Sequence, residues 1–159
     1  MKNISDDVGV GDASGLKLAL VVSTYHENVT RSLRVGALDA LEEAGAETAG
    51  VAVIEVPGAF EIPLIARHAA ASGSFDAVIC LGCIIRGQTP HFEYIASSVS
   101  HGIMTASQAT GIPITFGVLT TNTEEEALAR SKRDGTSNKG REAAVAAIHV
   151  ANIVARIGK

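Results

Sequence analysis

The sequence has 159 residues, a single-domain length that supports one layered core. Its formal net charge of −4, without a block of basic residues, argues against nucleic acid as a partner. We see no apolar signal segment and no stretch with the composition of a membrane span, so we expect a cytoplasmic protein without a membrane partner. The hydrophobic content of 47% is high for a small monomer and predicts a homo-oligomer.

Apolar periodicity predicts strands that alternate with helices. Runs that are apolar throughout indicate strands, whereas apolar residues at intervals of three and four indicate helices. Thr123 and Glu126 have the spacing of a capping box at the start of a helix. In chain order, the predicted elements are strand Leu16–Ser23, helix Val29–Ala44, strand Val51–Val56, a helix from Ile62 to near Gly73, strand Ala77–Ile85, a helix from Phe92 to near Gly111, strand Ile112–Thr120, a short helix from Thr123 to about Arg130, and a helix from about Gly140 to Ile157.

The alternation of strands and helices predicts the fold class. Strands that are apolar along their whole length are buried on both faces, as in a parallel sheet with helices on either side. Right-handed crossovers then give a three-layer α/β/α sandwich with a four-stranded parallel sheet, flavodoxin-like in outline. We expect one α/β domain over residues 16–159 and a flexible, Gly- and Asp-rich segment over residues 1–15.

The two cysteines, Cys80 and Cys83, have the C-x-x-C spacing of a redox or metal motif. Here the motif lies inside the predicted strand Ala77–Ile85. Residues three apart on a strand point to opposite faces, so we do not expect the thiols to share a disulfide or a metal ion. The histidines show no metal-ligand spacing either, and no metal is expected.

The loop between the third strand and the third helix has the composition of an anion site. Gly87 permits a tight turn, Thr89 adds a hydroxyl donor, and Pro90 favours the first turn of a helix, whose N-terminus attracts anions. An ordinary strand-to-helix turn has similar residues, so the motif alone is weak. His91 follows the loop and is suited to proton transfer beside a bound phosphate, although a lone histidine is more often structural.

Other loops at the carboxyl ends of the predicted strands carry polar or aromatic side chains. Glu61 begins a helix, where its carboxylate either interacts with the helix dipole or accepts the hydroxyl groups of a sugar-like ligand. Tyr25 is equally suited to stacking on a planar ring and to core packing. Arg130 and Lys139 either bind a phosphate or are solvated surface charges. No Ser–His–Asp or Cys–His order supports nucleophilic catalysis.

Four sequence blocks together resemble one enzyme family. They are Val53-Ile-Glu-Val-Pro-Gly-Ala-Phe-Glu-Ile-Pro63, Gly82-Cys-Ile-Ile-Arg-Gly-Gln-Thr-Pro-His-Phe-Glu-Tyr-Ile95, Ile114-Thr-Phe-Gly-Val-Leu-Thr120 and Asn138-Lys-Gly140. Their order and spacing resemble those of the lumazine synthases over about residues 16–157. The R-G-x-T-P-H-F block, with P-G-[SA]-[FWY]-E-[IL]-P upstream, is highly specific for that family.

The resemblance implies a role for each matching residue. For a pyrimidine substrate it implies ring stacking on Tyr25, main-chain contacts to Cys83, Ile84 and Ile85, and contacts of a ribityl chain to Ala59, Phe60 and Glu61. For a butanone phosphate it implies contacts to Gln88, Thr89 and Arg130, with Lys139 nearby. It also implies that His91 transfers protons and that Phe116 reaches the site of a neighbouring subunit.

The implied reaction condenses 5-amino-6-(D-ribitylamino)uracil with 3,4-dihydroxy-2-butanone 4-phosphate to 6,7-dimethyl-8-ribityllumazine, the penultimate step of riboflavin biosynthesis. No cofactor is expected. The alternative is a non-catalytic flavin- or lumazine-binding or shell-forming relative, against which His91, Arg130 and Glu61 together argue. The intact blocks also disfavour an archaeal-type riboflavin synthase. A flavodoxin or a receiver domain would have the same fold, but the chain lacks the phosphate loop of the first and the phosphoacceptor acid of the second.

The resemblance also implies a ring of five subunits with active sites between adjacent subunits, and in some relatives a shell of twelve rings. Extra length and charge in the loop before the last helix are expected to hinder contacts between rings. We therefore expect free pentamers or pairs of pentamers. The departures from the family pattern are Tyr25-His26 in place of Phe-Asn or Trp-Asn, Ser131-Lys132 in place of Ala-Gly, the bulky Arg133, and one additional residue between Arg130 and Lys139.

Overall fold

The arrangement of strands and helices confirms the predicted fold class. The structure is a computed structural model that describes residues 9–134 and 137–158. Within these ranges, four strands and five α-helices follow the order that the apolar periodicity predicts. They are β1 (Leu18–Ser23), α1 (Glu27–Glu43), β2 (Ala52–Val56), α2 (Ile62–Ala71), β3 (Ala77–Ile85), α3 (His91–Thr110), β4 (Ile114–Thr121), α4 (Glu124–Ser131) and α5 (Lys139–Ile157).

All four strands run parallel, in the order β2-β1-β3-β4. The central strand β1 is buried along its whole length, and its neighbour β3 is buried up to its last residue, whereas the edge strand β2 is half-exposed. Helices cover both faces of the sheet and complete a three-layer α/β/α sandwich. Parallel strands need this cover because each crossover places a helix against one face.

Two apolar cores fill the space between the sheet and its helices. One lies under α1 and α5 and contains Leu33, Ile148 and Cys83, and the other lies under α2 and α3 and contains Ile62 and Cys80. The two cysteines are free, buried and on opposite faces of β3, as the strand geometry predicts. This placement prevents a disulfide between them.

Strand β2 begins one residue later than its apolar run suggests, and β1 and β4 each begin two residues later. Strand β1 starts at Leu18, because the main chain of the preceding Lys17 is bound to Asp76. The Lys17 N–H donates to the Asp76 carboxylate, and the Lys17 carbonyl accepts the Asp76 N–H, each at 2.7 Å. Strand β4 starts directly after Pro113, which has no N–H to donate to a ladder.

Helix α4 begins at the predicted place, but only half of the expected capping box forms. The Thr123 hydroxyl oxygen accepts the Glu126 N–H at 3.2 Å. The Glu126 carboxylate accepts the N–H of Asn122, one residue before the cap, at 2.9 Å instead of returning to Thr123. Both bonds still satisfy main-chain donors at the start of the helix.

Part of the predicted flexible segment lies outside the described residues, as do residues 135–136 of the loop before α5. In the described part, the Ala13 N–H donates to the carbonyl of Ala44, after the end of α1. The Asn152 side chain of α5 donates to the Asp12 carbonyl. Across the described ranges, none of the helices combines the length and the apolar character needed to cross a membrane.

A buried asparagine joins α1, α4 and α5. Asn138 is 1% exposed, and its side-chain nitrogen donates to the carbonyls of Ser32 and Ser131 at 3.1 and 2.8 Å. Its side-chain oxygen accepts the Arg141 N–H at 3.0 Å and thereby caps α5. The side chain packs against Gly36, where no larger residue has room. This junction fixes the position at which α5 begins.

Gly140 allows α1 and α5 to approach closely. A Cβ atom at Gly140 would lie 2.0 Å from the Leu33 carbonyl oxygen, which belongs to the main chain of α1. We predict that Gly140→Ala destabilises the fold by about 2 kcal/mol or more, measured as a lower midpoint of chemical unfolding. Gly50→Ala is the control, because a Cβ atom at Gly50 meets nothing within 4 Å. Equal midpoints for the two variants would contradict this contact.

Candidate active site

A cavity of about 500 Å³ lies at the carboxyl ends of β1, β2 and β3. Helix α1, which follows β1, packs on one face of the sheet, whereas α3, which follows β3, packs on the other. The loops after β1 and β3 therefore turn towards opposite faces of the sheet. The crevice between them is where open parallel sheets bind ligands. The predicted site residues that line this first cavity are Tyr25, Ala59, Phe60, Cys83, Ile84, Ile85, Thr89 and His91.

The end of β3 leaves main-chain groups available to the first cavity. Strand β1 pairs with β3 only as far as Leu81, whereas β4 pairs with β3 up to Ile85. Over the last residues of β3, the side of the strand that faces β1 therefore has no strand partner. Main-chain N–H and C=O groups that lack such a partner are ready to bind a polar ligand.

The loop after β2 forms a single 3-10 turn over Ala59–Glu61. The Glu61 carboxylate accepts the Gly58 N–H at 2.9 Å and so closes this turn. Phe60 is 57% exposed at the rim of the first cavity. Glu61 is itself exposed and is not among the residues that line the cavity. Glu61 thus stabilises the turn that places Ala59 and Phe60 in the lining of the first cavity.

Helix α3 begins at His91, directly after the predicted anion loop. The His91 N–H lies 3.5 Å from the Thr89 hydroxyl oxygen. A Cβ atom at Gly87 would meet nothing within 4 Å, so this loop is open to a ligand. The free N–H groups of a helix N-terminus favour a bound anion. Gln88 is exposed in the same loop and does not line the first cavity.

Arg86 holds this loop in place, a role that the sequence analysis did not assign. Its Nε donates to the Asn122 side-chain oxygen at 3.0 Å, and its guanidinium forms an ion pair with Glu93. The same guanidinium lies 4.4 Å from the centre of the Phe92 ring. The hydrogen bond from Arg86 also holds the pKa of the Glu93 carboxyl below its usual range. These contacts tie the end of β3 to the loop after β4 and to the first turn of α3.

Three predicted residues lie in a second cavity of about 580 Å³, which runs along the edge strand β4. Phe116 on β4 is 44% exposed. Arg130, near the end of α4, and Lys139, at the start of α5, line the same cavity. The structure therefore does not bring these residues into the cavity that contains Thr89 and His91. The predicted site residues form two groups on one chain.

The second cavity combines apolar and cationic side chains on an unpaired strand edge. The Arg130 guanidinium donates to the Glu126 carbonyl at 3.0 Å, and no carboxylate in the described ranges pairs with it. Lys139 forms an ion pair with Glu142 at 2.8 Å. Exposed apolar surface beside an open strand edge is typical of a surface that contacts another chain.

Two comparisons with known proteins bear on the family of this chain. The family model of 6,7-dimethyl-8-ribityllumazine synthase matches residues 15–155. A 6,7-dimethyl-8-ribityllumazine synthase of Syntrophus aciditrophicus (strain SB) is 50% identical over 147 residues, which are 91% of this chain and 94% of the relative. This chain belongs to the 6,7-dimethyl-8-ribityllumazine synthase family.

Membership of the lumazine synthase family makes the chain an enzyme, a transferase of riboflavin biosynthesis. It confirms the resemblance of the four sequence blocks and excludes the flavodoxin and receiver domains that the fold alone would permit. Within the described ranges, no group of three or more His, Cys, Asp or Glu residues has an arrangement suited to a metal ion.

The reactivity of the two buried thiols can show whether the C-x-x-C motif is structural rather than a redox or metal motif. Burial, with a smaller effect of the Glu124 charge, raises the pKa of Cys83 to about 11, and burial also raises the pKa of Cys80. At pH 8, roughly one Cys83 side chain in a thousand is then the reactive thiolate. We predict that a coloured disulfide reagent labels neither thiol of the native protein within minutes but labels both after unfolding in guanidinium. Rapid labelling of the native protein would contradict the burial of the thiols.

Proposed function

We propose that the chain condenses 5-amino-6-(D-ribitylamino)uracil with 3,4-dihydroxy-2-butanone 4-phosphate in a site built from both cavities. The products are 6,7-dimethyl-8-ribityllumazine, phosphate and two molecules of water. The first cavity belongs to one subunit and the second to its neighbour. The observation that carries this proposal is that the family's matching residues, apart from Glu61 and Gln88, divide between two cavities of one chain.

The first cavity fits the pyrimidine substrate. Tyr25 is 68% exposed and offers a ring face for stacking on a planar heterocycle. The unpaired main-chain groups over Cys83–Ile85 suit the polar edge of the pyrimidine. We assign the hydroxyl groups of the ribityl chain to the turn Ala59–Glu61, which has N–H groups to donate and, outside the lining of the cavity in the single chain, the Glu61 carboxylate to accept.

The loop before α3 fits the phosphate of the second substrate. The helix N-terminus, the Thr89 hydroxyl and Gln88 supply donors to an anion. A phosphate dianion also requires positive charge, and Arg130 has no carboxylate partner in the described part of its own chain. We place Arg130, with Lys139 and Phe116, beside this loop from the neighbouring subunit.

The reaction needs proton transfer and an exit for phosphate. The 5-amino group attacks the ketone, and loss of water gives an imine. Phosphate then leaves, the resulting enol becomes a ketone, and attack of the ribitylamino nitrogen with loss of a second water closes the ring. His91, beside the anion loop, accepts and returns protons in these steps. Much of the rate comes from holding two soluble substrates together.

A site of this kind requires a head-to-tail assembly. The surface around the first cavity and the surface along β4 differ, so each subunit uses one surface towards one neighbour and the other surface towards the next. Contacts of this type close into a ring when the rotation between neighbours closes, and otherwise they give a filament. We propose the ring of five subunits that the family resemblance implies.

The direct test of the function is to mix the purified protein with both substrates and to follow lumazine absorbance. We expect lumazine to form faster than in the uncatalysed mixture, with one phosphate released for each ring formed. A protein that binds lumazine without accelerating its formation would be the non-catalytic relative.

His91→Ala should slow turnover about 100-fold at saturating substrate while folding and assembly remain intact, since the exposed imidazole transfers protons and fills no core. Single-turnover kinetics between pH 6 and pH 8 measure the effect. His101→Ala, an exposed histidine on the same helix α3, is the control and should retain the wild-type rate. A wild-type rate for His91→Ala across this range would remove His91 from the mechanism.

Arg130→Ala should weaken binding of the butanone phosphate about 10- to 100-fold, because a charge-assisted hydrogen bond to phosphate is lost. Binding of a ribityl-pyrimidine analogue should change little. The control is Arg133→Ala, which removes a nearby surface arginine that pairs with Asp39. Titration of each ligand separates the two effects, and equal losses for both ligands would indicate a structural role for Arg130.

The connection between α4 and α5 should limit assembly beyond the ring. Lys132 is exposed and Arg133 has a 70% exposed side chain. The family resemblance implies that rings meet at this connection, where both charges would oppose close approach. We predict that light scattering gives the mass of five or ten chains. A megadalton particle would contradict this prediction.

A further inference from the structure

His26 is the one residue other than glycine in the described ranges that has a positive φ. Its φ of 58° and ψ of 50° lie in the left-handed region, which L-residues with a side chain rarely adopt. Residues held in such conformations concentrate at functional sites, where the surrounding structure enforces them. The position of His26 is therefore a reason to ask what its side chain does.

Hydrogen bonds fix the main chain on both sides of His26. The preceding Tyr25 N–H donates to the Pro57 carbonyl at 3.1 Å. The His26 carbonyl accepts the N–H groups of Val29 and Thr30 at 2.9 and 3.0 Å, in the first turn of α1. The chain thus passes from β1 to α1 within three residues, of which His26 is the last. Glycine would make this turn without strain, so the turn alone does not call for an imidazole.

The imidazole has no role in capping α1 or in packing the apolar cores. His26 occupies the N-cap position, but its side chain makes no capping hydrogen bond. The ring lines the first cavity and meets the Tyr25 ring edge to face, with centroids 4.6 Å apart and planes at 68°. This is a favoured geometry for two aromatic rings. Within the described ranges, the hydroxyl of Tyr25 makes no hydrogen bond that would orient the ring, which leaves the edge contact with His26 to do so.

We propose that His26 is a positioning residue that fixes the plane of the Tyr25 ring for stacking. The strained main chain holds the imidazole at the edge contact, and the contact keeps one face of the exposed tyrosine directed into the first cavity. The heterocyclic substrate then meets a ring that is already oriented, so less rotational freedom is lost on binding. This proposal rests on the proposed function of the first cavity.

The test uses 6,7-dimethyl-8-ribityllumazine itself as the probe, titrated through the change in its fluorescence. His26→Asn keeps a residue that tolerates the left-handed region and removes the ring. We expect this variant to fold and to bind the lumazine about two- to tenfold more weakly, the range expected for loss of an aromatic contact. His26→Phe keeps an aromatic edge but adds backbone strain. If its unfolding midpoint stays at the wild-type value, it should bind the lumazine more tightly than His26→Asn does, and weaker or equal binding would count against the edge contact. The KM for the butanone phosphate should not change in either variant.

Tyr25→Ala completes the test as a double-mutant cycle. If His26 acts through Tyr25, adding His26→Asn to Tyr25→Ala causes no further loss of affinity. Wild-type affinity of His26→Asn, or equal losses with and without Tyr25, would overturn the proposal while leaving the active site as assigned. Wild-type affinity of Tyr25→Ala would overturn both the role of His26 and the stacking role of Tyr25 in the proposed function.

Discussion

The adjacency of β1 and β3 at the centre of the parallel sheet determines where this protein can bind a ligand. Both strands end at the same edge, but their following helices pack on opposite faces. The crevice between their loops is therefore a consequence of topology. Strand β3 also pairs with β1 only as far as Leu81, which leaves main-chain groups facing the crevice. The absence of a Cβ atom at Gly36 and Gly140 lets α1 and α5, which cover one face of this sheet, pack closely.

The edge strand β4 adds a second constraint. A parallel sheet of this order leaves one side of β4 without a strand partner, and here that side is lined by the exposed Phe116 and by two cationic residues on flanking helices. The first cavity contains His91 and a helix N-terminus, and none of the described residues that line it is an arginine. Each surface carries groups that the other lacks, and the proposed head-to-tail oligomer would bring the two together.

The sequence predicts the strands well because burial on both faces produces uninterrupted apolar runs. Strand β3 has its predicted bounds, and the opposite placement of Cys80 and Cys83 follows from strand geometry alone. The first residues of β1 and β4 are set by the hydrogen bonds to Asp76 and by Pro113. Apolar periodicity carries no information about either of these constraints. The spacing of motifs does not show which edge of the sheet a residue lies beside. The separation of Arg130 and Lys139 from the first cavity is therefore visible only in the three-dimensional structure. The contacts of Arg86 could have been predicted from the sequence, because Phe92 and Glu93 follow it at the start of the next helix.

The central claim is that each active site takes its two halves from different subunits. The measurement that tests it most directly is the activity of mixed rings, formed by refolding His91→Ala and Arg130→Ala chains together in equal amounts. Random mixing places an intact first cavity against an intact second one at about a quarter of the contacts, so about a quarter of the wild-type activity should return. Mixed rings with no more activity than the two variants alone would mean that both residues serve the same subunit's site, and the account would be wrong.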